Sequence, residues 1–246
     1  MQTTKRIKYI KNWIAEYCKS MPKEADSLVV GVSGGIDSSV TSTLCALTEK
    51  KTIIISMPIN QIKEQHDLSL KHQDWLKSKF KNVHSHLIIL DSVFKSFKNS
   101  LNVFNNEHGL ANSRARLRMA TLYQVAASNN GIVVGTGNKV EDFGVGFYTK
   151  YGDGGVDISP IADCTKSQVW EMGKELGLLK EIIEAQPTDG LWDDGRTDTN
   201  QLGMSYQELE DAMNDTTNKN HKRYLEIRKR NLHKMNSIPV CKMEDD

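Results

Sequence analysis

Val29-Val30-Gly31-Val32-Ser33-Gly34-Gly35-Ile36-Asp37-Ser38-Ser39 reads as a strand, a glycine elbow and the opening of a helix. The apolar run Leu28 to Val32 predicts a buried strand, because Val-rich runs bounded by breakers suit a parallel sheet covered on both faces. Ser-Gly-Gly follows at once, and the pattern then turns helical through Val40, Leu44 and Leu47. Glycines at a strand-to-helix turn let backbone N–H groups converge on an oxyanion without interference from Cβ atoms. The helix opening near Asp37 adds its positive dipole end to the same point. Ser33, Ser38 and Ser39 contribute hydroxyl donors. Asp37 is out of place in a pure anion cradle, so the elbow calls for a cation as well, most simply Mg²⁺ bridging carboxylate and phosphates. The competing reading is an ordinary Gly-rich turn.

Outward from this stretch, strands are predicted at Thr52–Met57, His84–Leu90 and Ile132–Gly135. Helical patterns separate them at Ser38–Glu49, Glu64–Phe80, and Ser92–Phe104 followed by Ser113–Ser128. A first helix, through Ile7, Ile10, Trp13, Ile14 and Tyr17, stops before Pro22. Strands alternating with helices imply right-handed crossovers and a doubly wound α/β fold, a parallel sheet with helices on both faces. Its ligand site should lie outside the carboxyl ends of the strands. Residues 136–165 are rich in Gly and Asp without clear periodicity, and Pro187–Gly203 is a second irregular stretch. Unstructured segments this long are usually functional or disordered. Helical pattern returns at Lys166–Leu176, Tyr206–Met213 and Asn220–Met235, and the tail from Lys242 to Asp246 should fray. No repeat or linker divides the chain, so 1–246 reads as one domain.

Bulk numbers narrow the class. The 246 residues suffice for a full core. Thirty-two Lys and Arg against 31 Asp and Glu leave a net charge of +1, with no global field favouring nucleic acid or an anionic membrane. The four cysteines (Cys18, Cys45, Cys164, Cys241) form no Cys-x-x-Cys pair, which speaks against zinc or redox chemistry and for reduced thiols. The N-terminus lacks an apolar signal core, and no run approaches membrane-spanning length, so a cytoplasmic location is expected.

Three further constellations carry chemistry. Arg114, Arg116 and Arg118 alternate near a helix start, which puts Arg114 and Arg118 on one face. They read either as a solvated face or as a guanidinium clamp for carboxylate and phosphate. Gly135-Thr136-Gly137-Asn138-Lys139-Val140-Glu141 follows the fourth strand, at the same edge as the elbow. Thr136 there could contact a nucleotide and Glu141 could offer magnesium a second oxygen ligand; the other reading is a plain turn. Phe147-Tyr148-Thr149-Lys150-Tyr151-Gly152-Asp153-Gly154-Gly155-Val156-Asp157 crowds aromatics, a lysine and two aspartates among glycines, a costly composition for a plain loop. Taken alone, Lys166 and Thr188 read as surface residues, and His233-Lys234 as a basic pair complementing a helix dipole.

The elbow resembles the pyrophosphatase loop of the ATP-pyrophosphatases. It is neither a Walker loop, having no Gly-Lys-Ser/Thr, nor a Gly-x-Gly-x-x-Gly fingerprint. The resemblance implies attack at the α-phosphorus of ATP and release of pyrophosphate. The ordered blocks Ser-Gly-Gly-x-Asp-Ser, Asn-x-x-Ala-Arg-x-Arg-Met, Gly-Thr-Gly-Asn-Lys-x-Glu and Lys-Tyr-Gly-Asp-Gly-Gly-x-Asp, then Thr-Lys, Pro-Thr and His-Lys, are similar to those of the NAD synthetase family. With 30 residues ahead of Gly31 there is no room for a glutaminase domain, so the ammonia-dependent type is implied. That type is a C–N ligase of adenine-nucleotide α-hydrolase-like fold, converting deamido-NAD, ATP and ammonia to NAD, AMP and pyrophosphate.

Carried over by position, Gly31, Val32, Ser33, Gly34, Gly35, Ile36, Asp37 and Ser38 would hold ATP phosphates, with Thr136, Lys166 and Thr188 also on ATP. Asp37 and Glu141 would bind Mg²⁺. Arg116, Arg118, Lys150, Asp157, His233 and Lys234 would contact deamido-NAD. Asp37, Asp153 and Lys166 would carry the chemistry, Asp153 by accepting a proton from ammonium. The family also implies a homodimer. This chain departs from the commoner pattern after Pro187-Thr188 and at Met235. Competing readings are a GMP-forming or tRNA-modifying ligase of the same class, which would want an added domain, a basic stripe or paired cysteines, and a non-catalytic ATP sensor, which would have no use for Glu141 beside Asp37.

Overall fold

In the computed structural model, which describes residues 1–192 and 194–243, the apolar run becomes strand β1 (Ser27–Gly31). Strands β2 (Lys51–Ser56), β3 (Val83–Leu87) and β4 (Gly131–Val133) join it, all parallel, in the order β3-β2-β1-β4. The chain builds outward from β1 to β3, then returns to set β4 on the other side of β1. That reversal is the switch point of a doubly wound sheet, and a crevice opens there beyond the carboxyl ends of β1 and β4. The architecture expected from the sequence is the one observed.

Ten helices among the described residues cover the sheet and its flank. They are α1 (Thr3–Ser20), α2 (Ile36–Ala46), α3 (Lys63–Lys79), α4 (Asp91–Leu101), α5 (Glu107–Ser128), α6 (Lys166–Glu175), α7 (Lys180–Glu184), α8 (Asp198–Leu202), α9 (Tyr206–Asn214) and α10 (His221–Met235). Strand periodicity divides the core. Leu28 and Val30 pack with Ile14 of α1, Leu44 of α2 and Met172 of α6, whereas Val29 packs with Phe94 of α4 and Leu122 of α5. Helix α2 is buried all round apart from Asp37, its small hydroxyl and apolar side chains letting it pack between the sheet and neighbouring helices. Apart from Thr41 Oγ1, which has no partner among the described residues, its hydroxyls donate to backbone carbonyls of the same helix start: Ser42 Oγ to Ser38 O and Thr43 Oγ1 to Ser39 O, both at 2.7 Å. A separate apolar cluster, including Val140, Leu202, Leu209 and Tyr224, holds α8, α9 and α10 together beside the crevice.

Four departures from the sequence reading have local causes. Helix α5 starts at Glu107 rather than Ser113, because Asn106 caps it by accepting from Gly109 N at 2.8 Å. The aperiodic 136–165 segment contains a π-helical turn, Lys139–Val145, whose widened repeat matches neither helical nor strand spacing. Helices α7 and α8 are five residues each, too short to show a period. Strand β3 ends at Leu87, three residues early. The expectation of a frayed tail at 242–246 falls largely on 244–246, outside the described residues. Cys18, Cys45 and Cys164 are free and buried, and Cys241 is free and exposed. Among the described residues no helix is long and apolar enough to cross a membrane.

Candidate active site

The glycine elbow sits where β1 hands over to α2, at the switch point. Gly34 has φ +90°, and a Cβ on it would meet Ser69 N at 2.7 Å and Gln65 O at 2.8 Å, so α3 presses directly on the elbow. Ser38 Oγ accepts from Ser33 N at 3.2 Å, and Ser33 Oγ accepts from Gly35 N at 3.2 Å, which sets the loop's curvature. Gly35 caps α2 without any side-chain bond, leaving the first-turn N–H groups pointing into the crevice. An uncapped helix start with its dipole behind it is a geometry able to seat an anion. Gly34→Ala is expected to lose roughly 2–4 kcal/mol of stability, from the disfavoured left-handed backbone and overpacking together. Thermal unfolding checks the first effect, and calorimetry with ATP checks an accompanying loss of affinity.

Three chain segments bring charge to the elbow's rim. Lys166, the first residue of α6, reaches Asp37 Oδ2 at 2.5 Å and Glu141 Oε1 at 3.0 Å, and its side chain is 2% exposed. The surface reading of Lys166 is therefore overturned. Burial alone would strip the lysine of its proton, but the two carboxylates outweigh it and push its pKa up. Burial likewise opposes ionisation of Glu141, yet Lys166 and the Tyr206 hydroxyl hold its carboxyl below the ordinary range. Asn138 orders both acids. Its Nδ2 donates to Asp37 Oδ1 at 3.1 Å, and its Oδ1 accepts from Val140 N and Glu141 N at 3.0 and 3.2 Å, capping the π-helical turn.

The donor set suits magnesium. Two hard oxygens, Asp37 Oδ2 and Glu141 Oε1, converge on one cationic point. No group of three or more His, Cys, Asp or Glu side chains able to hold a metal occurs among the described residues. Mg²⁺ is the ion that takes one or two carboxylates and completes its octahedron with phosphate oxygens and water.

The rest of the cleft is built from the expected segments. Thr136, Thr188, Arg118 and Asp153 line it together with the elbow, Asp37, Glu141 and Lys166. Arg118 is anchored by Nε to Met57 O at 3.0 Å and by Nη2 to Gln61 Oε1 at 3.1 Å. Burial and the neighbouring Arg114 push its pKa down to about 10, the signature of a guanidinium short of negative partners. Thr188 Oγ1 accepts from Gln65 Nε2 at 3.3 Å, and Arg114 donates to Leu191 O at 2.7 Å, so segment 187–203 lies across the cleft against α3 and α5. Asp153 Oδ1 accepts from Thr149 N at 3.0 Å. Its side chain is solvent-exposed, but the enclosing cleft walls push its carboxyl up to about 6.

The remaining expected contacts form a second group. Arg116 is exposed and donates to Lys150 O at 3.2 Å, Lys150 Nζ reaches His233 O at 3.4 Å, and Lys234 Nζ reaches Tyr148 O at 2.8 Å. These four basic residues meet at the end of α10, outside the cleft lining. Asp157 joins neither group. Its oxygens accept from Tyr123 OH at 3.1 Å and Val133 N at 2.7 Å, tying α5 to the end of β4. Asn138, Asp198, Tyr206 and Gln61 are site residues that sequence reasoning passed over. Only Asn138 carried a signal, as an Asx cap ahead of a carboxylate.

A family model described as NAD synthase matches residues 6–245. The chain is 38% identical over 205 residues to the NH(3)-dependent NAD(+) synthetase of Carboxydothermus hydrogenoformans, covering 81% of this chain and 80% of that protein. It is 36% identical to the protein of the same name from Methanosarcina acetivorans, with coverages of 82% and 80%. Among solved structures, the NMN synthetase of Francisella tularensis superposes with TM-score 0.91 at 32% identity, over 99% of this chain and 100% of that one. The NH3-dependent NAD synthetase of Campylobacter jejuni, in complex with nitrate, gives 0.79 at 25% identity, over 98% and 100%.

Proposed function

The chain belongs to the NAD synthase family, and on that premise we propose that it amidates deamido-NAD with ammonia at the expense of ATP, giving NAD, AMP and pyrophosphate, as a cytoplasmic homodimer. The observation that carries this is the convergence of Asp37 and Glu141 on Lys166 beside an uncapped helix N-terminus. The exposed apolar side chains of Leu87, Ile89, Val93 and Phe97, from the end of β3 through the following loop into α4, fit a second copy.

The carboxylate of nicotinate is a poor electrophile at neutral pH. Its oxygen attacks the α-phosphorus of ATP, forming an acyl adenylate and expelling pyrophosphate. The α2 N–H groups and the Lys166 ammonium receive the charge that develops on the leaving group, so positioning and preorganised electrostatics supply most of the rate. Asp37 and Glu141 would hold Mg²⁺, which when bound neutralises charge on the phosphates. Ammonia then attacks the acyl carbon and AMP departs. Asp153, with a carboxyl pushed up to about 6, is ionised near neutrality and accepts the proton that ammonium must shed. Segment 187–203 keeps water from the adenylate.

Protein mixed with ATP, Mg²⁺, ammonium and deamido-NAD is expected to yield NAD and AMP in equal amounts. Formation of ADP and orthophosphate would sink the α-phosphorus assignment. A sensor would form no product, and a tRNA ligase would release pyrophosphate only with RNA added. The 0.91 superposition on a chain that by its name makes NMN favours a second reading, with the mononucleotide acid as acceptor. Offering both acids decides between them: the dinucleotide reading requires the higher kcat/KM for deamido-NAD.

A further inference from the structure

We propose that Tyr206 is a positioning residue of this site, its hydroxyl fixing Glu141 and, through Asp198, tying that carboxylate's setting to the seating of segment 187–203 over the cleft. The inference rests on the reading of Asp37 and Glu141 as the metal pair. Tyr206 is the first residue of α9, placed by a capping box in which Ser205 and Glu208 satisfy each other's backbone N–H groups. The helix start is thereby rigid, and the ring stands edge-on to Trp170 with centroids 6.0 Å apart. From there the hydroxyl lies 2.5 Å from Glu141 Oε1 and 2.8 Å from Asp198 Oδ2. The shorter contact has the length of a hydroxyl donating to an ionised carboxylate. The Lys166 ammonium lies 4.5 Å from the centroid of the same ring. One side chain therefore touches the cation and one of the two carboxylates at the elbow's rim.

Asp198 supplies the link to the segment over the cleft. It is 4% exposed, lines the cleft, and its Oδ1 has no hydrogen-bond partner among the described residues. A buried carboxylate oxygen left without a donor is expensive, and in a folded chain it marks a group held for another task. Asp198 N donates to Pro187 O at 3.1 Å, so the loop from Pro187 closes back on itself where α8 begins. Within the segment, Gln201 donates to Asp189 Oδ2 and accepts from Trp192 Nε1, both at 3.0 Å. Unseating the segment would pull Asp198 from the Tyr206 hydroxyl and loosen the fixed rotamer of Glu141.

The ordinary alternative is a buried tyrosine whose hydroxyl happens to find an acceptor. The two are separated by Mg²⁺ titrations of ATP binding, followed by calorimetry without ammonia or acid substrate, together with hydrogen exchange of residues 187–203. Tyr206→Phe, which keeps the ring, should raise the Mg²⁺ concentration for half-maximal ATP binding about tenfold, the equivalent of one hydrogen bond to a charged group. Mg²⁺ and ATP together should slow exchange in 187–203 in the parent protein and fail to do so in this variant. Asp198→Ala should behave as Tyr206→Phe does, and the double variant should be no worse than either single one, since both cut the same connection. Asp198→Asn, whose amide still pairs with the hydroxyl, should restore the parental Mg²⁺ dependence. Parental Mg²⁺ dependence and exchange protection in both Tyr206→Phe and Asp198→Ala, or additive effects in the double variant, would overturn the proposal. Glu141→Gln guards the premise: if it leaves the Mg²⁺ dependence unchanged, the metal-pair reading fails, whatever Tyr206 does.

Discussion

Asp37→Asn is expected to lower turnover by ~100-fold or more, the kinetic equivalent of several kcal/mol of lost charge stabilisation at the phosphates. The substitution is nearly isosteric and Asn138 remains beside it, so the elbow should keep its shape. What changes is charge. One of the two oxygens able to hold Mg²⁺ becomes a neutral amide, and the Mg²⁺ requirement should rise steeply. Lys166 is affected too, since its 2%-exposed ammonium keeps only Glu141 as an anionic partner. Breaking a buried ion pair on one side typically costs ~3–5 kcal/mol. A marked fall in urea midpoint should accompany the loss of AMP formation. Parental turnover at ordinary Mg²⁺ in this variant would remove Asp37 from the site and, with it, the reason for reading the elbow as a phosphate seat.

The contrast between Asp37 and Tyr206 shows which parts of this molecule are legible in one dimension. Asp37 stands out because a carboxylate contradicts its surroundings: glycines, hydroxyls and a helix start all favour an anion. The strand-elbow-helix unit is legible for a similar reason, since period two gives way to period 3.6 across three residues that can make a tight turn. Tyr206 contradicts nothing. With Leu209 and Ala212 it is buried at helical spacing, and its hydroxyl acquires a role only when the π-helical turn and α8 are folded against α9. Lys166 is intermediate. Spacing gave no reason to prefer it to the other lysines, and it came forward only through the Thr-Lys block. The arginine triplet divides as its period requires, Arg114 and Arg118 inward and Arg116 outward. That Arg118 is pinned to Met57 O just past β2 depends on strand order, which no local pattern encodes. The π-helical turn stayed hidden because its repeat has no counterpart among the periods by which helices and strands are recognised.

Asp153→Asn should separate stability from catalysis. A proton acceptor worth ~10²–10⁴ in rate is lost, so NAD formation should fall by that order while ATP binding holds. The pH dependence should change as well. In the parent protein, the rate should climb as Asp153 ionises around its carboxyl's pKa of about 6, and that limb should vanish in the variant. Stability should move the opposite way. The folded carboxyl holds its proton more tightly than the ordinary 3.8, so between pH 4 and pH 6 the native state carries more protons than the unfolded chain. Stability therefore declines as pH rises through that window, and the deficit is complete above about pH 6. A neutral asparagine escapes it, and its Oδ1 can still accept from Thr149 N. A shift of this size would correspond to about 3 kcal/mol for a dry site, but solvent reaches Asp153, and screening reduces the expected gain to about 1 kcal/mol. Urea melts at pH 7.5 and pH 4 check it: the variant should be the more stable at the higher pH and equal at the lower. Equal stability at both, with an unchanged pH–rate profile, would mean that Asp153 meets only water in the cleft and that ammonium loses its proton to another group.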